Sequence, residues 1–421
     1  MLNKPNRELV IMNAVAREIS VISPATETKV VKYDSRFEEE VRAFRPDVVM
    51  TFPMTSVGLA EPYYVFKLLF GTRVVCFRAE GIIDPGSPQS VSNHVGYDRY
   101  GSALVDGELF WGPGPAKLIG DALLASGKLS APDRIRCVGY PRLERYFGVQ
   151  PPEGSAPLPE SVRARLSHSG RTNTLLFAAG FHFANYTREM IFAAKDLDAE
   201  NRCDELLGIV EEVKRFRASW IEGIVHAARE NPDLLLVLKK HPIERREDYA
   251  ALEGLGNVLY VWQDVDIGDL IDRAGVFFHY GSTSLADAYL ARIPAVYLHS
   301  REKRCHEWFP DLGWPSARAA SSDEITNLVR EYRNGDIRHD DEDPRIKEVL
   351  EYNFNIRDGE PYRPARRIAE FLLDNDPSQR IPWTDRHFQH ALLSHCYRRL
   401  RHAIGRPIKN VVRGARGLFQ Q

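Results

Sequence analysis

The hydrophobic pattern of the first half alternates between short apolar runs and longer amphipathic segments. Helical periodicity near 58–70 and 115–126 separates some of the apolar runs. A further apolar segment, residues 8–23, is too irregular to assign to a helix or a strand. Four runs rich in β-branched and aromatic residues predict strands; they are PDVVMTF (46–52), TRVVCF (72–77), ELFWG (108–112) and RIRCVGY (134–140).

The second half repeats this alternation after a Pro-rich segment, GVQPPEGSAPLPESV (148–162), that breaks all periodicity and predicts a linker. A long helix is predicted from about 203 to 229. The predicted strands are TNTLLFAA (172–179), DLLLVLK (233–239), NVLYVW (257–262), AGVFFHY (274–280) and PAVYLHS (294–300). Strands that alternate with helices predict parallel sheets of the α/β class.

Chain length supports a division into two domains, because 421 residues exceed what one hydrophobic core usually organises. We predict an N-terminal Rossmann-like domain over residues 1–150, a linker over 151–170 and a second Rossmann-like domain over 171–375. A basic tail over 376–421 follows. The hydrophobic content of 43% and charged content of 27% are typical of soluble globular proteins.

The sequence predicts a cytoplasmic protein without a metal or disulfide framework. No apolar run approaches the roughly 18 residues that a membrane span needs, and Glu8 and Glu18 interrupt any signal-peptide core. The five cysteines lie far apart with no C-x-x-C pair, which disfavours a zinc site.

The end of the chain has a separate character. Residues 386–421 contain seven Arg, one Lys and no acid, so they carry +8 and leave −10 on the preceding 385 residues for a total of −2. Two interpretations remain open: an amphipathic helix on the anionic inner face of the cytoplasmic membrane, or a helix packed across both domains. No nucleic-acid-binding fold or stacking signature accompanies the charge, so a nucleic-acid partner is not expected. Apolar positions recur at helical spacing: Phe388, Leu392, Cys396, Leu400 and Ile404.

The stretch FFHYGSTSLADAYLARIPAVYL (277–298) places a Gly-Ser-Thr-Ser turn between a buried strand and a helix. Parallel sheets bind ligands at the carboxyl ends of their strands, where this turn lies. Gly281 lets the backbone approach a ligand, and Ser282 and Thr283 add hydroxyl donors near a helix start, which favours an anion. The turn therefore predicts a phosphate site; the alternative is that Ser282 only caps the helix.

A second candidate turn follows another buried strand in LLLVLKKHPIE (234–244). Lys239 and His241 stand at its carboxyl end, and the His241 imidazole is suited to donate a hydrogen bond to a phosphate oxygen. The alternative is a structural or solvated histidine. Two anion-suited turns on strands of the same half favour a shared phosphate site.

The third candidate lies in the first half, in RVVCFRAEGIID (73–84). Arg78, Glu80 and Gly81 follow a strand in what we predict to be a loop. A carboxylate at the mouth of a cleft is suited to act as a general base. The alternative is an exposed Glu80 or an Arg78–Glu80 ion pair.

These features in this order resemble the GT-B glycosyltransferases of bacterial surface polysaccharide synthesis. The chain is similar to the family labelled surface carbohydrate biosynthesis protein and more distantly to capsule Kdo transferases and bacterial sialyl- and polysialyltransferases. The resemblance covers roughly residues 46–372. It is also carried by LFWG (109–112), VGYPRLERYF (138–147), GSTSLADA (281–288) and DGEPYRPARRIAEFL (358–372).

The resemblance implies a GT-B fold, with two Rossmann-like domains facing a central cleft. It implies that Glu80 is the catalytic base and that His241, Ser282 and Thr283 hold the phosphate of a nucleotide-sugar donor, CMP-linked or otherwise. The donor would bind mostly to the second half, with Lys239 and Gly281 beside the phosphate. No metal or cofactor would be needed.

The implied acceptor is a glycan or lipid-linked molecule that approaches from the first half, where Arg78, Gly81 and Arg142 would line the cleft. Inversion at the anomeric carbon is favoured, because His279 and Asp287 occupy the places of the Glu-x7-Glu pair of retaining GT-B enzymes. Asp287 remains a candidate acceptor for a ribose hydroxyl.

Other functions stay open at this point. A CDP-polyol phosphotransferase of the teichoic-acid type also uses His-Pro and Ser turns. A UDP-sugar 2-epimerase shares the two-domain architecture but usually carries a Gly-Gly-Glu-Glu-like turn. A non-catalytic GT-B-like scaffold protein is the non-enzymatic alternative.

Overall fold

The computed structural model describes twelve stretches of the chain. They are 5–32, 36–54, 57–78, 104–129, 131–149, 157–193, 199–241, 244–262, 265–302, 314–374, 378 and 386–404.

The first half is built around a four-stranded parallel sheet of order β1-β2-β3-β4. Every residue of β2 and β3 is buried, including the charged residues Arg73 and Glu108, as expected for strands of a parallel sheet that is covered on both faces. All four predicted strands are present, and the unassigned N-terminal segment is a helix. The elements are α1 (Pro5–Ile22), α2 (Phe37–Phe44), β1 (Val48–Thr51), α3 (Val57–Phe70), β2 (Arg73–Phe77), β3 (Gly107–Phe110), α4 (Pro113–Ala125) and β4 (Ile135–Cys137).

The second half contains a six-stranded parallel sheet of order β10-β9-β8-β5-β6-β7. The elements up to β7 are α5 (Glu160–Ser169), β5 (Thr174–Ala178), α6 (Arg188–Ala193), α7 (Ala199–Glu230), β6 (Leu235–Lys239) and β7 (Val258–Val261). The remaining elements are α8 (Ile267–Ile271), β8 (Val276–His279), α9 (Leu285–Leu290), β9 (Ala295–Leu298), β10 (Ala317–Ala319) and α10 (Ser322–Asn334).

The strand order of this second sheet is that of Rossmann folds. The chain starts in the middle at β5, moves outward through β6 and β7, then returns to the other side of β5 and continues through β8, β9 and β10. The order therefore reverses between β5 and β8. In open α/β sheets such a switch point leaves a crevice at the carboxyl ends of the strands, where ligands bind.

Two helices that follow the second sheet pack against the first half: α11 (Pro344–Phe354) lies on α4, and α12 (Pro364–Leu373) lies on α1. Phe354 and Ile368 share a hydrophobic cluster with Phe77 and Leu109 of the first sheet. The residue limits of the two domains stay a prediction. Helices α11 and α12, which follow the second sheet in sequence, contribute to the core of the first half.

The last helix, α13 (Arg386–Ile404), also packs on the first half, against α3. Phe388 is 2% exposed, and its ring lies 6.0 Å from that of Tyr64. His395 Nε2 is 3.1 Å from Arg42 Nη2 on α2. The first turns of this helix therefore rest on the protein. Within the described residues, no helix is both long and apolar enough to cross a membrane.

Candidate functional site

Strand register brings the two predicted phosphate turns to one edge of the second sheet. Ala178, the last residue of β5, pairs with Lys239 of β6 on one side and His279 of β8 on the other. Adjacent strands are about 4.8 Å apart, so the Cα atoms of Lys239 and His279 are separated by roughly 10 Å. The turns that contain His241 and Ser282 therefore flank the end of β5, at the switch point.

The loops after β5 and β8 touch. A Cβ atom added at Gly180 would lie 2.9 Å from the carbonyl oxygen of Tyr280, so this close approach requires glycine. The rings of Phe181 and Tyr280 stack with centroids 4.9 Å apart. Backbone and aromatic contacts thus fix the two loops against each other.

A buried carboxylate, Glu244, joins the loops after β5 and β6. Its Oε1 accepts hydrogen bonds from the Phe181 N–H (2.9 Å) and the Tyr249 hydroxyl (2.6 Å), and its Oε2 accepts from the His241 N–H (2.7 Å). Burial raises the pKa of Glu244, and these three donors act in the opposite direction. Sequence reasoning missed this residue, because nothing in HPIE distinguishes its glutamate from an exposed one.

The turn after β8 is ordered by its own polar groups. Gly281 has φ +59°, in the left-handed region that favours glycine. The Ser282 N–H donates to His279 Nδ1 (3.3 Å), and Ser282 Oγ accepts from the Ser284 N–H (3.2 Å). Helix α9 begins after Ser284, whose side chain makes no capping hydrogen bond. The Ser282 hydroxyl thus orders the turn before the helix.

Two backbone N–H groups of this turn remain available to a ligand. The N–H groups of Gly281 and Thr283 have no acceptor within the part of the chain that the structure describes. With the hydroxyls of Ser282 and Thr283 they form a set of neutral donors beside the switch point. Such a set is suited to a phosphate oxygen.

The first half reaches this turn through a 3₁₀ segment, Pro141–Phe147. Arg142 Nη2 lies 3.4 Å from Ser284 Oγ and donates to the carboxylate of Asp287, which is fully buried in α9. The Tyr146 hydroxyl donates to the other carboxylate oxygen of Asp287 (3.2 Å). The sequence placed Arg142 in the acceptor cleft and Asp287 beside the nucleotide; the structure bonds the two to each other.

Burial and Arg142 have opposite effects on the ionisation of Asp287. Burial raises the pKa of Asp287 to about 6, although Arg142 lowers it. A second arginine of the segment, Arg145, joins the halves through Nη2, which lies 2.7 Å from Asp269 Oδ1 and 2.6 Å from Asp272 Oδ2. Two arginines spaced three residues apart therefore bridge the two halves.

Of the remaining predicted site residues, the structure describes Arg78 and Lys239. Arg78 is 2% exposed, and its Nε (2.9 Å) and Nη2 (3.0 Å) donate to the two carboxylate oxygens of Glu108 on β3. Lys239 is 8% exposed. Glu80 and Gly81 lie outside the described residues, so the base assignment stays a prediction. Among the residues that are described, no group of three or more His, Cys, Asp or Glu side chains could hold a metal ion.

Comparison with known proteins identifies the fold. No family model and no curated protein matches the sequence. The structure is similar to UDP-GlcNAc 2-epimerase from Neisseria meningitidis bound to UDP-GlcNAc, with a TM-score of 0.50, 13% identity, and coverage of 88% of this chain and 98% of that chain. A Listeria monocytogenes protein assigned as a UDP-N-acetylglucosamine 2-epimerase has a TM-score of 0.49 and 12% identity, over 89% of this chain and 97% of that chain.

At these identities the likeness concerns the fold alone. The predicted α/β fold, with two parallel sheets in a GT-B-like arrangement, is confirmed. The finer resemblance to the surface carbohydrate biosynthesis, Kdo transferase and sialyltransferase families is not supported by these comparisons.

Proposed function

We propose that this chain is an enzyme that binds a nucleotide-activated sugar at the carboxyl edge of its second sheet. The observation that carries the proposal is the switch point between β5 and β8, where the loops after β5, β6 and β8 meet. His241, Ser282 and Thr283 would hold the phosphate. The similar fold of the Neisseria epimerase, which is bound to UDP-GlcNAc, supports this class of ligand.

The proposed reaction is transfer of the sugar, with inversion, to a glycan or lipid-linked acceptor. The acceptor oxygen attacks the anomeric carbon, the bond from that carbon to the phosphate oxygen breaks, and Glu80 takes the acceptor proton. Negative charge grows on the departing phosphate. His241 and the N–H groups of Gly281 and Thr283 would stabilise that charge more strongly in the transition state than in the bound donor.

A second candidate is 2-epimerisation of a UDP-sugar, which the fold likeness to the Neisseria enzyme favours. The turn that would face the nucleotide is Gly-Ser-Thr-Ser (281–284) here, rather than the Gly-Gly-Glu-Glu-like turn usual in such enzymes. We therefore place transfer first.

Product analysis separates the two reactions. The full chain is screened with UDP-, CMP-, CDP-, GDP- and dTDP-sugars by thermal shift, since a ligand that binds the folded state raises the melting temperature. The best donor is then incubated with and without acceptor glycans, and the products are identified by NMR. Transfer releases free nucleotide, whereas epimerisation leaves the nucleotide sugar intact with a changed configuration at C2.

The variant Glu80→Gln tests the assigned base. We expect turnover to fall about a hundredfold or more, since a general base contributes at least that much, while the donor still raises the melting temperature. His241→Ala is expected to weaken both donor binding and turnover. Normal turnover in Glu80→Gln would show that Glu80 is not the base. A nucleotide sugar with a changed configuration at C2 as the sole product would show that the reaction is epimerisation and not transfer.

We also propose that the basic tail brings the enzyme to an anionic membrane surface, where lipid-linked acceptors reside. Arg398, Arg399 and Arg401 lie in the last turns of α13. Each basic residue near such a surface contributes about 1 kcal/mol. In sedimentation assays at low salt, the full chain should pellet with phosphatidylglycerol vesicles, whereas the variant with all three Arg→Gln substitutions should stay in the supernatant. Equal retention on neutral phosphatidylcholine vesicles would contradict the proposal.

A further inference from the structure

Arg142 carries a guanidinium group that the protein satisfies only in part. Its side chain is 9% exposed. Nη2 donates to Asp287 and lies 3.4 Å from Ser284 Oγ. Nε is buried and has no acceptor within the described residues. A buried donor without a partner is uncommon in folded proteins and costs stability, so it calls for an explanation.

The surroundings hold this guanidinium in a fixed position. Its Cζ lies 5.5 Å from the centre of the Tyr140 ring. Tyr140 stacks on Trp111 at 3.9 Å, and Trp111 stacks on Phe354 at 5.8 Å. The carboxylate of Asp287 accepts a hydrogen bond from Nη2. An arginine held this way loses little conformational freedom when it binds a ligand.

The position of Arg142 indicates which kind of ligand group it would bind. The guanidinium belongs to the first half but contacts Ser284, at the end of the turn where the Gly281 and Thr283 N–H groups also lack acceptors. An anion bound there would accept hydrogen bonds from the turn and lie beside the guanidinium of the first half. The guanidinium suits a phosphate group in particular, because hydrogen bonds between a cationic donor and an anionic oxygen are stronger than neutral ones.

We propose that Arg142 binds a phosphate group of the nucleotide ligand, so that the phosphate site is shared between the two halves. The identity of the ligand rests on the proposed function; the anion site rests on the residues themselves. Arg145 provides the contrast. It bridges the same halves from the same segment, but it lies against Asp269 and Asp272 rather than the turn.

The test uses the full chain and measures dissociation constants for UDP, CMP and inorganic pyrophosphate by calorimetry. Arg142→Gln is expected to bind UDP or CMP at least about tenfold more weakly, as loss of a charged hydrogen bond predicts. Arg142→Lys should lie between that variant and the wild type, because it keeps the charge and loses the planar group. The matched control, Arg145→Gln, should stay within about twofold of the wild type.

Arg142→Gln could fail to fold, because it leaves the buried Asp287 carboxylate without its cation. A second pair of variants tests the inference in that case. The double variant Arg142→Gln/Asp287→Asn removes both charges and is compared with Asp287→Asn alone. The inference predicts that the double variant binds at least about tenfold more weakly than Asp287→Asn. Equal affinity of that pair would overturn it.

The outcomes separate this inference from the proposed function. If the wild type binds UDP or CMP and the Arg142 and Arg145 variants are weakened equally, Arg142 only ties the halves together and the inference is wrong. If the wild type binds pyrophosphate but neither nucleotide, the assignment of the ligand fails. The anion site then stands only if Arg142→Gln loses pyrophosphate. If the wild type binds none of the three, both proposals fall.

Discussion

The carboxyl edges of the two sheets are built on different chemistry. At the first, a buried arginine and a buried glutamate, Arg78 and Glu108, pair through two hydrogen bonds and join the end of β2 to β3. At the second, the buried acid Glu244 is held by neutral donors, two backbone N–H groups and a tyrosine hydroxyl. At the first edge a cation pairs with the carboxylate. At the second edge the carboxylate accepts hydrogen bonds from neutral groups, and Lys240 Nζ lies near the backbone carbonyl oxygens of His241 (3.3 Å) and Glu244 (3.4 Å).

This difference agrees with the topology of the sheets. The described strands of the first sheet follow one another in chain order, and only the second sheet reverses direction at its centre. A switch point creates a crevice, and the loops that line it must be fixed while their donors stay available for a ligand. We infer that the first edge serves mainly for stability and the second mainly for binding.

Removal of Glu108 should produce the largest effect. Glu108→Ala leaves Arg78 buried without its bidentate partner, and breaking a buried ion pair costs about 3–5 kcal/mol. The free energy of unfolding in urea measures this loss. Asp121→Ala, which breaks the exposed Lys117–Asp121 pair (76% and 62% exposed side chains), should show no measurable change. A loss in Glu108→Ala as small as that of the control would mean that charge does not hold the first edge.

The free energy of unfolding should depend on pH through Glu144, in the 3₁₀ segment Pro141–Phe147. Glu144 accepts a hydrogen bond from the Ala365 N–H (2.8 Å), and burial raises the pKa of its carboxyl to about 7. The Ala365 N–H, Arg17 and Arg363 lower this pKa, and Glu18 raises it. Protonation therefore favours the folded state. The stabilisation is complete below the ordinary pKa of 4.5 and is lost as pH rises through about 7.

The measurement compares the free energy of unfolding of the wild type and Glu144→Gln from about pH 4.5 to about pH 8. The wild type should lose up to about 3 kcal/mol relative to the variant over that range. The variant lacks the titrating group but keeps an acceptor for Ala365. Parallel profiles would show that Glu144 titrates as an exposed glutamate does.

Neutralising Glu244 tests the second edge. In Glu244→Gln an amide NH₂ replaces one of the accepting oxygens and meets a donor, which should cost about 2 kcal/mol of stability. Nucleotide affinity should fall as well, since the His241 turn loses its anchor. Thermal melts with and without UDP measure both effects. Glu247→Gln, an exposed site three residues away, is the control and should resemble the wild type; a Glu244→Gln protein with normal stability would mean that the loops do not depend on this acid.

The sequence predicts the strands well because buried parallel strands are short runs rich in apolar residues. It misses β10, since Ala317–Ala319 is only three residues long and contains the exposed Arg318. It also does not reveal that α11 and α12 pack on the first half. The sequence on either side of both helices is polar, and their partners in the core, such as Phe77, lie far away in sequence.

The candidate site is predictable to the same extent. The sequence indicates the turns at His241 and Ser282 as candidates because each follows a buried strand, and parallel strands share a carboxyl edge. The contact of Arg142 with Asp287 joins residues 145 positions apart and leaves no periodic signal in the sequence. Glu244 is similar, because its role depends on donors from separate loops.

The smallest effect on stability, and the most specific one for the second edge, is expected from Gly281→Ala. Gly281 has φ +59°, a conformation that costs an L-residue about 1 kcal/mol, and no atom lies within 4 Å of the added Cβ. Gly127 is a matched control, with φ +68° and equally open space, in the loop after α4. Both alanine variants should lose similar stability in urea. Only Gly281→Ala should bind UDP more weakly, because its methyl group takes space beside the phosphate; equal UDP affinity of the two would place the phosphate elsewhere.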